Sequence, residues 1–411
     1  MFHAAARVLL FGAVAAPYVG LAQSASELVV NDERQRQIVD EIRQVQAESG
    51  AFSDELIAPL TALGLFYREG GERILARGAI DQARQVVRAN YGLHALEEAP
   101  LMRQAIDDDE AIGQFTAAWK LEQQLLDIAA RHPDDERTAP ILAEIGDRRT
   151  DLLRHYLSGE IPPQIVLGCY YRERGLSDWP FNPISERQCN SGSRDTAIRA
   201  LRSEARAYYL KAIGTLLRTE GRASPELEDL EMRVIKNSFD ASAYAVGRSS
   251  YRRLMSYQAA NAARWLDRVT TAIELADWDL QFGQGAGTIF LDNVLREYAE
   301  ARHLLERGGV EQESIDALFT PDIPVMLPTF QPNPLASKQA PESTQHIDVA
   351  FRITKYGRSQ HVTVLDETTN VPAAAEQKLL RTIKLGRFRP RPTAGGYEDS
   401  VPVVLRYWLN D

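Results

Sequence analysis

The chain of 411 residues predicts an α+β fold, in which a mostly α-helical solenoid precedes a small β-β-α-β C-terminal domain. Two observations predict this class. Most of the chain before residue 320 repeats apolar residues at helical spacing. The last 66 residues alternate apolar and polar positions, as half-buried strands do. An apolar content of 44% is enough to bury a sizeable core.

Shifts in composition divide the sequence into six segments. They are a signal peptide at 1–22, helical repeats at 23–165, a cysteine-containing loop at 166–194, a second helical region at 195–320, a Pro-rich linker at 321–345 and the C-terminal domain at 346–411.

The predicted signal peptide has a short basic start and an apolar stretch. Arg7 precedes the apolar residues 8–22, and Gly20 and Ala22 are small residues where a signal peptidase requires them. A bilayer span needs about 20 apolar residues. Export is therefore favoured, and an uncleaved membrane anchor is the alternative.

A three-residue pattern recurs in the helical repeats. Ala-Pro-Leu at 58–60 and at 99–101 and Ala-Pro-Ile at 139–141 stand 41 and 40 residues apart. Proline suits the first turn of a helix, so we expect each triplet to lie at a helix start. A period near 40 with paired helices is typical of an α-solenoid. The region resembles tetratricopeptide repeats of the longer kind, which implies a concave face that binds proteins or extended peptides.

The two cysteines, Cys169 and Cys189, lie in one segment rich in Gly and Pro. In an oxidising compartment such a pair is expected to form a disulfide. Two free thiols are the alternative. The spacing excludes a CxxC redox pair, and two cysteines alone do not predict a zinc site.

Motifs for catalysis or cofactor binding are weak. Gly283-x-Gly285-x-Gly287 follows a helical pattern instead of a strand, and it therefore predicts an inter-helix loop. The acidic run at 107–110 lacks the spacing of a calcium loop, and we interpret it as acidic residues at a helix start. We expect no enzyme activity, no cofactor and no metal site. The net charge of −10 argues against a nucleic-acid partner.

The C-terminal domain is predicted from periodicity and turn residues. Period-two alternation indicates strands, and a run without Gly or Pro indicates a helix. Prolines in the basic segment remove ladder donors, so that segment is not a regular central strand. The predicted order is a strand at 347–354, a strand at 361–365, a helix at 373–385, the basic segment at 387–392 and a closing strand at 401–409.

This domain resembles the C-terminal domain of TonB-type energy transducers. The resemblance covers about a sixth of the chain. It rests on Tyr-Gly-Arg at 356–358, the helix, Arg-Phe-Arg-Pro at 387–390, Gly-Gly at 395–396 and the closing strand. Such domains bind a short extended segment of an outer-membrane receptor by strand addition, along the final strand. An ordinary sheet whose edge contacts the chain's own helices is the alternative.

The resemblance implies a set of partner-binding residues. Proline at Val403 or Leu405 is expected to abolish binding by removing a ladder donor. The expected binding residues are Val401, Val403, Val404, Leu405, Arg406 and Tyr407 in the closing strand, with Arg387, Arg389 and Arg391 flanking it.

The sequence thus predicts a periplasmic protein–protein interaction protein of a Gram-negative bacterium. Its helical scaffold would present the TonB-like domain to an outer-membrane receptor or another envelope partner, with a role in TonB-dependent transmembrane transport. Energy transduction requires a membrane anchor, so it depends on an uncleaved N-terminus in the inner membrane. The alternative function is an exported enzyme or ligand carrier with a pocket in the helical body.

Overall fold

The computed structural model describes residues 19–158, 194–283, 287–319, 324–330, 346–365, 372–393 and 396–408. It has the predicted α+β class, with a helical body and a small antiparallel sheet near the C-terminus. The chain divides into two compact units, residues 1–132 and 133–411. The C-terminal domain therefore belongs to the same compact unit as the second helical region.

The helices are α1 (Val19–Ser49), α2 (Ile57–Glu69), α3 (Arg73–Tyr91), α4 (Ala99–Ala111), α5 (Phe115–Arg131), α6 (Thr138–Ser158), α7 (Arg194–Thr219), α8 (Glu226–Asp240), α9 (Tyr244–Gln258), α10 (Trp265–Phe282), α11 (Thr288–Arg307), α12 (Gln312–Phe319) and α13 (Ala373–Leu385). The strands are β1 (Met326–Leu327), β2 (His346–Ile353), β3 (Ser359–Val364), β4 (Arg387–Phe388), β5 (Pro392–Thr393), β6 (Gly396–Tyr397) and β7 (Val403–Trp408).

The recurring triplets lie at helix starts, as predicted. Helices α2, α4 and α6 begin at residues 57, 99 and 138, so each triplet falls in a first turn. The third residue of each triplet, Leu60, Leu101 or Ile141, is buried. Of the predicted inter-helix loop, Gly283 follows the end of α10 and Gly287 precedes the start of α11, and residues 284–286 lie outside the described part.

One type of turn joins helix pairs in both units. After α2, Gly71 has a φ of 79°, and the amide of Glu72 donates to the carbonyl of Tyr67 at 2.8 Å. This is a Schellman ending, in which a left-handed residue satisfies the last carbonyls of a helix. Gly113 ends α4 in the same way. In the second unit, Ser242 has a φ of 52° after α8 although it is not glycine.

The interpretation of the acidic run at 107–110 was wrong, because these residues lie at the C-terminal end of α4. The helix dipole disfavours carboxylates there. Arginines offset this: Asp108 is fully buried and accepts hydrogen bonds from Arg68 and Arg73, each at 2.9 Å. The run therefore holds helices of the first unit together through charge-assisted hydrogen bonds.

Several predictions fall wholly or partly outside the described residues. Residues 19–22 of the predicted signal peptide begin α1, and the rest of that segment is not described. Cys169 and Cys189, with their predicted disulfide, also lie outside. Within the described ranges, no helix is both long and apolar enough to cross a membrane.

The C-terminal domain contains a three-stranded antiparallel sheet in the order β3-β2-β7. Alternation of apolar residues along β2 and β7 buries one face of the sheet against α13 and β4. That core consists of Ile347, Val349, Phe351, Ile353, Leu379, Ile383, Phe388, Val403 and Leu405.

The predicted Pro-rich linker at 321–345 is not an extended spacer over its described part. Met326 and Leu327 form β1, which pairs with Phe388 and Arg387 of β4. Leu327 also packs into an apolar cluster of α10, α11 and α12. This part of the segment therefore attaches the C-terminal domain to the helices, and residues 331–345 lie outside the described part.

Candidate protein-binding edge

The closing strand lies at an edge of the sheet. Strand β7 covers 403–408 of the predicted 401–409, and Val401 precedes it. Among the described residues, its one neighbouring strand is β2. An edge strand presents main-chain donors and acceptors on its outer side.

Hydrogen bonds along β2 show which main-chain groups point to which neighbour. The carbonyl of Asp348 accepts from the amide of Leu365 at 2.8 Å, on the β3 side. The carbonyl of Ile353 accepts from the amide of Ser400 at 2.7 Å, on the β7 side. The main-chain groups of successive residues point to opposite neighbours along a strand. The amides and carbonyls of the odd-numbered residues of β2 therefore point toward β7.

The register then fixes the direction of each residue of β7. Val403 and Leu405 lie opposite Phe351 and Val349, so their amides and carbonyls face β2. The main chain of Val404 faces the outer edge. Proline at Val403 or Leu405 would remove a donor of the protein's own ladder with β2, so these two variants do not test the outer edge. Val404 is the position that tests the edge.

The side chains of β7 alternate between a buried and an exposed face. Val403 and Leu405 are buried, whereas Val404 is 58% exposed. On the outer face, Arg406 donates to Asp348 of the neighbouring strand at 2.8 Å. This hydrogen bond lowers the pKa of Asp348. Tyr407 is half-buried, so the strand has one face directed to the core and one face exposed to solvent.

The opposite edge, along β3, is built differently. The register shifts between Ala350 and Arg352, and His361 has a φ of 52°. At the start of β3, the amide of Phe388 donates to the carbonyl of Gly357 at 2.9 Å. Helix α13 packs against the same strand. An irregular and partly covered edge is a poor template for another strand.

The arginines of the basic segment do not all flank β7, which corrects the prediction. Arg389 is buried and donates to Asp277 of α10 at 3.0 and 2.5 Å. It also donates to the carbonyl of Leu318. Arg387 is equally buried, and Arg391 is half-buried. A position of Arg391 beside β7 stays a prediction.

The Asp277–Arg389 pair lies at the centre of a buried network that joins sheet and helices. The hydroxyl of Tyr298 donates to Asp277 at 2.6 Å. Burial alone would lower the pKa of Arg389, but the Asp277 carboxylate raises it above the ordinary value. Burial, and then repulsion from Asp277, raise the pKa of Glu274 to about 7. The network fixes the position of the segment that follows β4.

Sequence reasoning missed this network because its members are far apart in the chain. Asp277 and Arg389 are separated by 112 residues. One signal was present: Asp277 directly follows Ala276 on a helix whose Ile273 and Leu280 form an apolar stripe. A carboxylate beside a buried stripe needs a partner.

Metal ligands do not cluster in the described ranges, where no three His, Cys, Asp or Glu side chains are placed to hold an ion.

Comparisons with known proteins provide little further information. No family model matches the chain, and no curated protein matches it. Among solved structures, the chain is similar to BtubC (BKLC) from P. vanneervenii, at 11% identity and a TM-score of 0.36. The match covers 66% of this chain and 91% of that one. A likeness this distant assigns neither a fold family nor a function.

Proposed function

We propose that the chain is a protein-interaction protein whose C-terminal domain binds an extended partner segment as an added strand beside β7. The observation that carries this proposal is the terminal position of β7, with the main chain of Val404 facing outward. An extended peptide satisfies such groups with its own amides and carbonyls. The bulged and partly covered β3 edge directs the partner to β7.

The faces of β7 define the pattern of the partner segment. An added strand continues the two faces of the sheet, because successive side chains alternate. Its inward residues would extend the apolar row of Val403 and Leu405. Its outward residues would lie beside Val404 and the Arg406–Asp348 pair. We therefore propose a segment that alternates apolar and polar residues.

Features of the sequence support an envelope location and an envelope partner for this binding. The resemblance to TonB-type domains supports an outer-membrane receptor or another envelope protein as the partner. The apolar stretch at 8–22 supports export to the periplasm. The paired helices support a scaffold role for the rest of the chain.

Two matched proline variants of the full-length chain test the binding edge. Val404→Pro removes an outward donor of β7, and Val364→Pro removes an outward donor of β3. Proline is tolerated at edge positions whose amide faces away from the sheet, so we expect both variants to fold. Isothermal titration with an eight-residue peptide of alternating Val and Thr is expected to show binding to Val364→Pro and none to Val404→Pro.

The outcomes separate the two edges. Equal affinity of the unsubstituted chain and Val404→Pro would reject strand addition at β7. Loss of binding in Val364→Pro alone would assign the β3 edge instead. Near-ultraviolet circular dichroism of each variant checks that the sheet remains folded.

A second candidate function rests on a cleft of about 420 Å³ in the second unit. Its floor is apolar, with Ala139, Leu216 and Leu230, and Glu136 and Arg233 are among the charged residues of its lining. Ligand pockets commonly combine an apolar lining with a few polar groups at volumes of this order. The cleft therefore favours the ligand carrier as the alternative hypothesis. Native mass spectrometry distinguishes the two hypotheses, because a carrier is expected to retain a small molecule.

A further inference from the structure

Arg387 is a buried cation that has no acceptor among the described residues. Its side chain belongs to a residue only 5% exposed, and its guanidinium makes no hydrogen bond or ion pair with the described part of the chain. Burial, and then the neighbouring charge of Arg358, lower its pKa. A buried charge without a partner is costly, so this residue requires an explanation.

The pairing of short strands places Arg358 beside it. Arg358 and Arg387 form an antiparallel bridge, and Arg387 lies opposite Leu327. Residues opposite each other in such pairs project to the same face. Leu327 packs into the apolar cluster of α10 and α11. Both arginines are thus placed on the face of the β1–β4 pair toward the helices, and Arg358 is exposed.

Arg389, in the same segment, is a buried cation that does have a carboxylate partner. It lies two residues further on and is also 5% exposed, yet its guanidinium is held by Asp277 through two hydrogen bonds. The pKa of Arg389 is raised, whereas that of Arg387 is lowered. The two residues have the same exposed fraction, and they differ in that the Asp277 carboxylate holds the guanidinium of Arg389.

We propose that Arg387 and Arg358 form a binding site for one oxyanion, a carboxylate or phosphate group, on the face of the β1–β4 pair toward the helices. The planar guanidinium donates two parallel hydrogen bonds to such groups. Arg387 supplies the buried donor, and Arg358 closes the site from solvent. The site lies beside the covered β3 edge and is independent of strand addition at β7.

Thermal unfolding of the full-length chain tests the site. The probes are sodium phosphate and sodium acetate, each compared with sodium chloride at equal ionic strength. Binding to the folded state raises the unfolding temperature in a saturable way. We expect a saturable rise of a few degrees with at least one probe. Comparison of phosphate with acetate identifies the preferred group.

Three variants locate the effect. Arg387→Met is expected to lose the saturable rise and to be at least as stable as the unsubstituted chain in chloride, because it removes an unpaired buried charge. Arg358→Met is expected to weaken the apparent affinity about tenfold, which corresponds to one charge-assisted hydrogen bond. The control Arg391→Met, in the same segment, is expected to keep the full response.

The proposal is overturned by any of three results. These are a chain without a saturable response to either anion, an equal response in Arg387→Met, or a large loss of stability of Arg387→Met in chloride. The last result would assign Arg387 a structural role. A rise that is linear and equal in all variants would reflect exclusion of salt from the protein surface, and it would also reject the site.

Discussion

The two edges of the C-terminal sheet differ although they border the same central strand. Strand β3 is bulged, and the bridge from Arg358 to Arg387 covers its start. Strand β7 is regular over six residues and ends the sheet. Among the described residues, the protein's own chain covers part of the β3 side, and no strand pairs with the outer side of β7.

The occupied side is also the anchored side. Strand β4 continues into Arg389, which is held by Asp277 in the helices. Strand β7 carries Val404 on a solvent-exposed face and an ion pair with Asp348 that is itself partly exposed. Anchoring one edge keeps the sheet in place while the other edge forms contacts elsewhere.

The largest loss of stability is expected when the ion pair that anchors the sheet to the helices is removed. Asp277→Ala leaves the Arg389 guanidinium buried without its carboxylate, which typically destabilises a protein by about 3–5 kcal/mol. Urea unfolding of the full-length chain, followed by tryptophan fluorescence, measures this loss.

The matched control is Asp348→Ala, which removes the carboxylate of the exposed ion pair on the β7 side. Exposed pairs contribute little to stability, so its urea midpoint is expected to stay close to that of the unsubstituted chain. Equal destabilisation by both substitutions would contradict the distinction between an anchored and an accessible side.

A smaller change in stability is expected from the titration of Glu274, which lies near the Asp277–Arg389 pair. The pKa of Glu274 is raised to about 7 from an ordinary value of 4.5. Between these values the unfolded chain has lost this proton and the folded chain retains it. Stability is therefore expected to fall as pH rises from about 4.5 to about 7. Glu274→Gln should flatten that part of the stability profile, whereas Glu398→Gln, at an exposed position, should not.

The smallest effect concerns single amides and leaves global stability unchanged. The amides of Val403 and Leu405 face β2, and the amide of Val404 faces outward. Hydrogen exchange followed by nuclear magnetic resonance is expected to be slow at the first two and fast at Val404. Addition of the alternating peptide should slow exchange at Val404. Slow exchange at Val404 in the free chain would show that this edge is already covered.

Local patterns in the sequence predicted most of the elements. The triplets mark helix starts because proline suits a first turn, and alternation along 347–354 predicts β2. The closing strand was predicted to within two residues at its start. These predictions hold because the deciding interactions lie within a few residues of each other.

Contacts between distant segments could not be predicted from the sequence. A run of arginines indicates charge, but it does not show that Arg389 pairs with Asp277 and that Arg387 pairs with no carboxylate in the described part of the chain. The prolines predicted a spacer at 321–345. In the structure, Met326 and Leu327 pair with β4, some 60 residues further along the chain. The partner of a buried charge depends on the packing of whole elements, which periodicity does not encode.

The Schellman turns between helices imply an order of assembly. Each closes over a few residues, as between Glu72 and Tyr67, so a helical hairpin is able to form early at a small cost in chain entropy. The contact between Asp277 and Arg389 spans 112 residues and must await a much larger loop closure. Refolding is thus expected to proceed from the hairpins to the sheet. During that interval β2 is able to pair with β3 across a short turn, but its β7 side is bare because β7 lies much further along the chain. The nascent ribbon is then most exposed to mispairing with other chains.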